Sequence, residues 1–215
     1  MTSKSPFMQS YQQLPTTLPV FPLSGAVVMP GGVLPLNIFE PRYLNMVSDA
    51  MKSTQLIGMI QPKDELIPAT LHSVGCAARV TQYNETKDGR LEIVLEGLCR
   101  FDIDEELSTM RGYRLIKPCW RDFQHDFDKH QTADAQHSLL FTSALRGYFK
   151  KHNIKVDWAA IDDLPQATLV NNLVAQLPLS SDDKQILIEA KTLADRVACF
   201  TGILATTEDV QETRH

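Results

Sequence analysis

The chain has 215 residues, 43% of them hydrophobic and 22% charged, which supplies apolar surface for a sizeable core and excludes a disordered chain. Its formal net charge is −5, and the charge is spread: residues up to Pro118 carry 11 basic and 12 acidic groups, the remainder 10 and 14. Neither half is therefore a nucleic-acid-binding surface by bulk charge, and one domain, or two small packed ones, is expected.

Residues 1–17 form a polar extension rich in Ser, Thr, Gln and Pro. They lack the apolar stretch of a signal peptide, and with no transmembrane run in the sequence the expectation is a cytoplasmic protein with no membrane partner. Short strands are then expected at Leu18 to Phe21, Ala26 to Met29 and Val33 to Ile38, with Pro30-Gly31-Gly32 as a turn. A helix follows from Pro41, whose missing N–H costs nothing at the first helical position, with Leu44, Val47 and Met51 on one face.

Strand character resumes at Gln55 to Ile60 and at Thr70 to Tyr83, which Asp88-Gly89 turns into Arg90 to Leu98. Phe101 to Asp104 alternates apolar and acidic residues, and Tyr113 to Trp120 reads as the last strand. About six strands with one inserted helix suit a small closed or nearly closed barrel over residues 18–120, since an open sheet would leave edges exposed.

Beyond Trp120 the apolar period changes from two to roughly three and a half. A polar connector over residues 121–136 leads into helices over 137–206. Leu139, Leu140, Ala144, Leu145, Tyr148 and Phe149 predict one amphipathic helix. A second starts at Asp162 or Asp163 and buries Leu169, Val170, Leu173, Val174 and Leu177; a third is capped by Ser180 or Ser181. The pattern Thr192-x-x-Asp195 marks a break near Lys191, and residues 207–215 form a polar tail. The fold class is α+β, a small β-barrel followed by an α-helical bundle.

Leu18 to Met51, and within it Leu34 to Tyr43 (LPLNIFEPRY), resembles the opening of the Lon protease N-terminal domain, most of all in the short bacterial proteins that carry this domain without the enzyme. The likeness continues through Leu56 to Ile60, Gly75 to Val80, and Leu95 to Phe101, which is similar to the family's G-x-x-R-F element. It returns at Leu177 to Leu179 and Lys184 to Glu189, and is weakest between Trp120 and His137. The resemblance implies a PUA-like barrel with a helical bundle and a role in recognising protein substrates, while the family's peptidase activity resides in a separate domain with a serine-lysine pair.

Chemistry is sparse. A nucleotide-cradling loop needs a glycine directly before a lysine, and no glycine here precedes one. His125, His130 and His137 share a polar stretch with four aspartates, but their spacings of five and seven do not place ligand pairs on one helical face. The four cysteines are expected as reduced packing residues. Asp102 and Asp104 read as the wet face of a strand, and no G-x-S-x-G elbow supports a hydrolase at Ser24. No catalytic residue, cofactor or metal is thus expected.

The candidate protein-binding residues are Met29, Val33, Phe39, Arg42, Tyr43 and Met59, because aromatics, arginine and methionine are the types that serve varied interfaces. Against this, Phe39 and Tyr43 would plug the barrel end, Phe39 by preference, with Arg42 pairing Glu40 or Glu96. The expected partners are proteins or unfolded polypeptide segments. The alternatives are an RNA-binding module using Arg79, Arg90 or Arg100, or an unrecognised hydrolase.

Overall fold

The computed structural model describes residues 10–66, 68–128 and 130–209, so the start of the expected N-terminal extension and most of the polar tail lie outside the described residues. Six strands form one sheet: β1 (Leu18–Pro22), β2 (Val33–Ile38), β3 (Leu56–Ile60), β4 (Val74–Glu85), β5 (Leu91–Leu107) and β6 (Arg114–Cys119). Their order is β2-β5-β4-β3-β1-β6, and β6 also pairs with β5. That last pairing closes a five-stranded ring, in which the first half of β5 carries β2 and the second half carries β6.

Every ring strand sends a side chain inward. Leu18 and Val20 of β1, Leu56 and Ile60 of β3, Ala77 of β4, Phe101 of β5 and Ile116 of β6 form one buried cluster. Phe101 fits because glycines face it: a Cβ at Gly75 would lie 2.6 Å from its ring, and one at Gly58 3.0 Å. Strand β5 runs unbroken through Gly97 to Leu107, where two separate strands were expected. Its length absorbs a register shift against β4 between Ala77 and Ala78, and such a bulge bends a strand without ending it.

Ala26 to Met29 is not a strand. Val27, Val28 and Met29 are buried, but the chain crosses β5 instead of pairing alongside it: Gly31 N donates to Gly97 O at 2.8 Å and Gly97 N to Gly32 O at 2.9 Å. A Cβ at Gly97 would stand 2.0 Å from Met29 O, so only glycine permits the crossing. Helix α1 (Pro41–Met51) begins with Pro41 at its first turn as expected, but it buries Tyr43, Met46, Val47 and Ala50. Leu44 and Met51 sit at the margin of that face.

The helical part comprises α2 (Ala135–Lys151), α3 (Trp158–Asp162), α4 (Gln166–Gln176), α5 (Ser181–Glu189) and α6 (Leu193–Asp209). Its caps follow the sequence closely at two helices: Ser180 Oγ accepts from Asp183 N at 3.0 Å, and Thr192 and Asp195 bond reciprocally. Helix α3, capped by Asp157, was not expected. It uses up the Asp162-Asp163 segment, so α4 starts after Pro165 with no side-chain cap. In α2 the inward face is Phe141, Leu145, Tyr148 and Phe149, while Leu139 and Leu140 are exposed, contrary to the expected stripe. Phe141 meets Phe200 of α6 with ring centroids 5.5 Å apart.

The connector is not the solvated stretch expected. Its 3₁₀ turn Arg121–Phe127 buries Phe123 and lies on β5, where Asp126 meets Arg100. Arg100 is wholly buried. Its guanidinium makes an ion pair of 2.8 Å with Asp126, donates to Ile188 O at 3.1 Å, Ala190 O at 2.5 Å and Lys191 O at 3.1 Å, and stacks 4.4 Å above the Phe123 ring. One side chain thereby ties the barrel, the connector and the end of α5 together.

Arg100→Met is expected to cost about 3–5 kcal/mol, because Asp126 is left buried without its counter-charge. Replacing both, Arg100→Met with Asp126→Leu, should recover much of that loss. Urea unfolding of the two variants checks this: a single-variant loss below about 1 kcal/mol would show that the joint does not rest on this pair.

Candidate functional site

Strand β2 is the end strand of the sheet order, hydrogen-bonded to β5 on one side. Pro35 lies within it, as suits an edge strand that needs no ladder donor there. Val33, Pro35 and Asn37 face outward, and the register sets them opposite Glu96, Val94 and Glu92 of β5. Beyond the strand, Phe39 is 63% exposed and Val33 is 58% exposed. Phe39 therefore does not plug the barrel end. Its ring stands against the Arg90 guanidinium at 5.9 Å, and Arg90 pairs with Asp88 at 3.0 Å.

The other expected contact residues divide by burial. Met29 and Met59 lie in the core, beneath α1 and the bundle, and offer no surface. Tyr43 is buried against Phe21, ring centroids 4.2 Å apart, and burial holds its hydroxyl above the ordinary phenol range. Arg42 is exposed, paired with Glu40 at 2.8 Å and laid over the Tyr43 ring at 4.5 Å. Val33 and Phe39 thus stand exposed at the two ends of β2, with Arg42 following in α1, while Met29, Tyr43 and Met59 are withdrawn into the interior. A cavity of about 280 Å³ beside Arg42 is walled by Tyr113, Arg114 and Pro68.

A larger cleft, about 310 Å³, lies where the barrel, the connector and the bundle meet. Pro30, Gly31 and Glu96 form its barrel side, Asp128 and Gln131 the connector side, and Thr168, Asn171 and Arg196 the bundle side. It joins the β2 face through one cross-strand row, because Glu96 is opposite Val33 on one flank and Arg79 on the other. Arg79 lines the cleft too. Asn171 donates to Pro30 O at 3.0 Å and accepts from Arg196 at 2.8 Å, so the floor is braced across 141 residues of sequence.

Sequence reasoning missed this cleft. Asn171 and Arg196 were each readable as a polar residue on an otherwise apolar helical face, but no motif connects them. His125 Nε2 donates to Lys191 O at 2.7 Å and adjoins Arg100, while His137 sits on Asp134 at the start of α2. Among the described residues no three His, Cys, Asp or Glu side chains converge as a metal would require. Cys76 and Cys99 are buried, which drives both thiols far above their ordinary range, whereas Cys199 is exposed and is not the packing residue expected.

A family model described as the ATP-dependent protease La (LON) substrate-binding domain matches residues 17–206. A Lon protease of Flavobacterium johnsoniae is 29% identical over 194 residues, covering 86% of this chain and 23% of that protein. The chain spans about a quarter of the length of such curated relatives. Among solved structures, a Lon N-terminal domain protein from Xanthomonas campestris superposes with a TM-score of 0.65 at 24% identity, over 85% of this chain and 95% of that one. The N-terminal domain of a Mycobacterium avium complex Lon protease gives 0.66 at 16% identity, over 88% and 98%.

Burial separates Phe39 from Tyr43 in a way that stability measurements read directly. Tyr43→Ala is expected to lose about 3–5 kcal/mol, the usual cost of emptying a buried aromatic site, and Phe39→Ala to stay within about 0.5 kcal/mol of the parent. Equal losses in denaturant titrations would contradict the exposed placement of Phe39.

Proposed function

This chain belongs to the ATP-dependent protease La (LON) substrate-binding domain family, and from that premise we propose that it is a recognition module for polypeptide segments that breaks no bonds itself. The observation that carries this reading is the outer edge of β2, unpaired among the described residues and flanked by exposed Val33 and Phe39. An extended segment laid on such an edge gains main-chain hydrogen bonds without regard to its sequence, and apolar contacts beside it select side chains. Phe39 is the natural anchor, since a large aromatic ring loses little conformational freedom when covered.

The placement of the basic residues favours polypeptide over RNA. Of the three arginines an RNA contact would use, Arg100 is fully buried and Arg90 is paired with Asp88, which leaves Arg79 as a single cation and not a cluster. Phosphate binding draws on clusters of free cations. A cytoplasmic setting fits the thiol state: all four cysteines are free. No helix among the described residues is long and apolar enough to cross a membrane.

A permanently unfolded model protein, reduced and carbamidomethylated, is expected to bind the purified chain, read by fluorescence anisotropy. The double variant Val33→Asp with Phe39→Asp should bind it about tenfold or more weakly, about 1.4 kcal/mol, while its circular dichroism stays unchanged. Absent binding, or binding indifferent to both substitutions, would refute the proposed surface.

A further inference from the structure

The cleft between barrel and bundle has a charge arrangement that the fold itself leaves incomplete. Two guanidiniums are buried beneath it, Arg100 fully and Arg196 at 3% exposure. Between them they have one buried carboxylate, and Arg100 takes it: Asp126 accepts from both Nε and Nη2 of Arg100. Among the described residues Arg196 meets only neutral acceptors, Leu187 O at 3.2 Å, Asn171 Oδ1 at 2.8 Å and Ala190 O at 3.4 Å. A guanidinium has five N–H donors, so two of Arg196's lack an acceptor among these residues. Burial, followed by the nearby Arg100 charge, pushes Arg196 down to about 9, and it stays charged at neutral pH.

A second cation waits at the same cleft. Arg79 is half-buried and lines the cleft, and its side chain has no hydrogen bond or ion pair among the described residues. The opposing charges are Asp126, whose buried carboxylate is engaged by Arg100, and Glu96 and Asp128, both on the exposed rim. Depth decides which sign prevails. Rim carboxylates are screened by water and salt, whereas the charge of Arg196 acts through a poorly polarisable floor, where an interaction of the same length is several times stronger.

We propose that this cleft binds a carboxylate borne by an extended polypeptide, held between Arg196 on the floor and Arg79 at the wall, with the Thr168 hydroxyl as a further donor. The inference rests on the recognition reading above and extends it. The shared row Val33, Glu96 and Arg79 lets a segment lying across the β2 face reach the cleft. Its volume, about 310 Å³, is at the small end of ligand sites and suits one acidic side chain or a chain terminus. The rim carboxylates then accept from the segment's own backbone N–H groups.

Three fluorescein-labelled ten-residue peptides test this on the intact chain: a neutral amidated peptide with a central Gln, the same peptide with a central Glu, and the Gln peptide with a free C-terminal carboxylate. At least one carboxylate peptide is expected to bind about tenfold tighter than the neutral one, and which one identifies the source of the group. The gain should vanish in Arg79→Gln, and the Arg196 Nε–H resonance should shift with the carboxylate peptide and not with the neutral one. Arg196→Gln risks misfolding, so the resonance carries that part of the test. Equal affinities for all three peptides, a gain that survives Arg79→Gln, or an unmoved Arg196 resonance would overturn the carboxylate site while leaving polypeptide recognition standing. No binding by any peptide, together with none by the unfolded model protein, would overturn both.

Discussion

The carbonyl oxygens at the end of α5 hold two buried guanidiniums, and the joint between barrel and bundle depends on that arrangement. Ala190 O accepts from both Arg100 and Arg196; Leu187, Ile188 and Lys191 supply the neighbouring oxygens. A helix C-terminus carries partial negative charge and four carbonyls without intrahelical partners. Cations are stabilised there where elsewhere in the interior they would be expelled. The helix stops at Glu189 and its successor starts at Leu193, so the turn between them exposes carbonyls toward β5 at the height of Arg100.

This joint accounts for the family motif around β5. Gly97 lets the Met29 segment cross at contact distance, Arg100 fastens the connector and α5, and Phe101 fills the ring between Gly58 and Gly75. All three act on folding. These three motif residues are interior ones, and they report the scaffold more faithfully than the partner. The exposed positions Val33 and Phe39 are under no such packing constraint and are available for contact.

The proposed contact surface follows from the same construction. Because β5 pairs with β4 from Leu91 to Asp102 and with β6 from Asp102 to Leu107, only the far side of its first half is left for β2, which becomes a short edge strand. Because the connector and bundle are fastened at Arg100 and Arg196, a cleft opens between them and that edge strand. In the proposed reading the edge contributes contacts indifferent to side chains and the cleft a charged end point, a combination broad in what it accepts but selective in register.

Most of the element types were legible in the sequence, because period-two and helical patterns, Pro41, the Ser180 cap and the Thr192 to Asp195 box are set by contacts within a few residues. The α+β class, the barrel preceding the bundle and the absence of a glycine-lysine phosphate loop follow from such local signals. Which apolar residues face inward did not. Met29 and Phe39 are both large apolar residues beside turns, yet one is buried and the other exposed, since only the crossing at Gly97 and the end of β2 distinguish them. The apolar face of α2 is the one that meets α6 through Phe141 and Phe200, which leaves Leu139 and Leu140 exposed. The charge pair of Arg100 with Asp126 spans a stretch that local reading took for solvated linker. Burial and charge pairing are decided by segments remote in sequence, so only the tertiary structure fixed them.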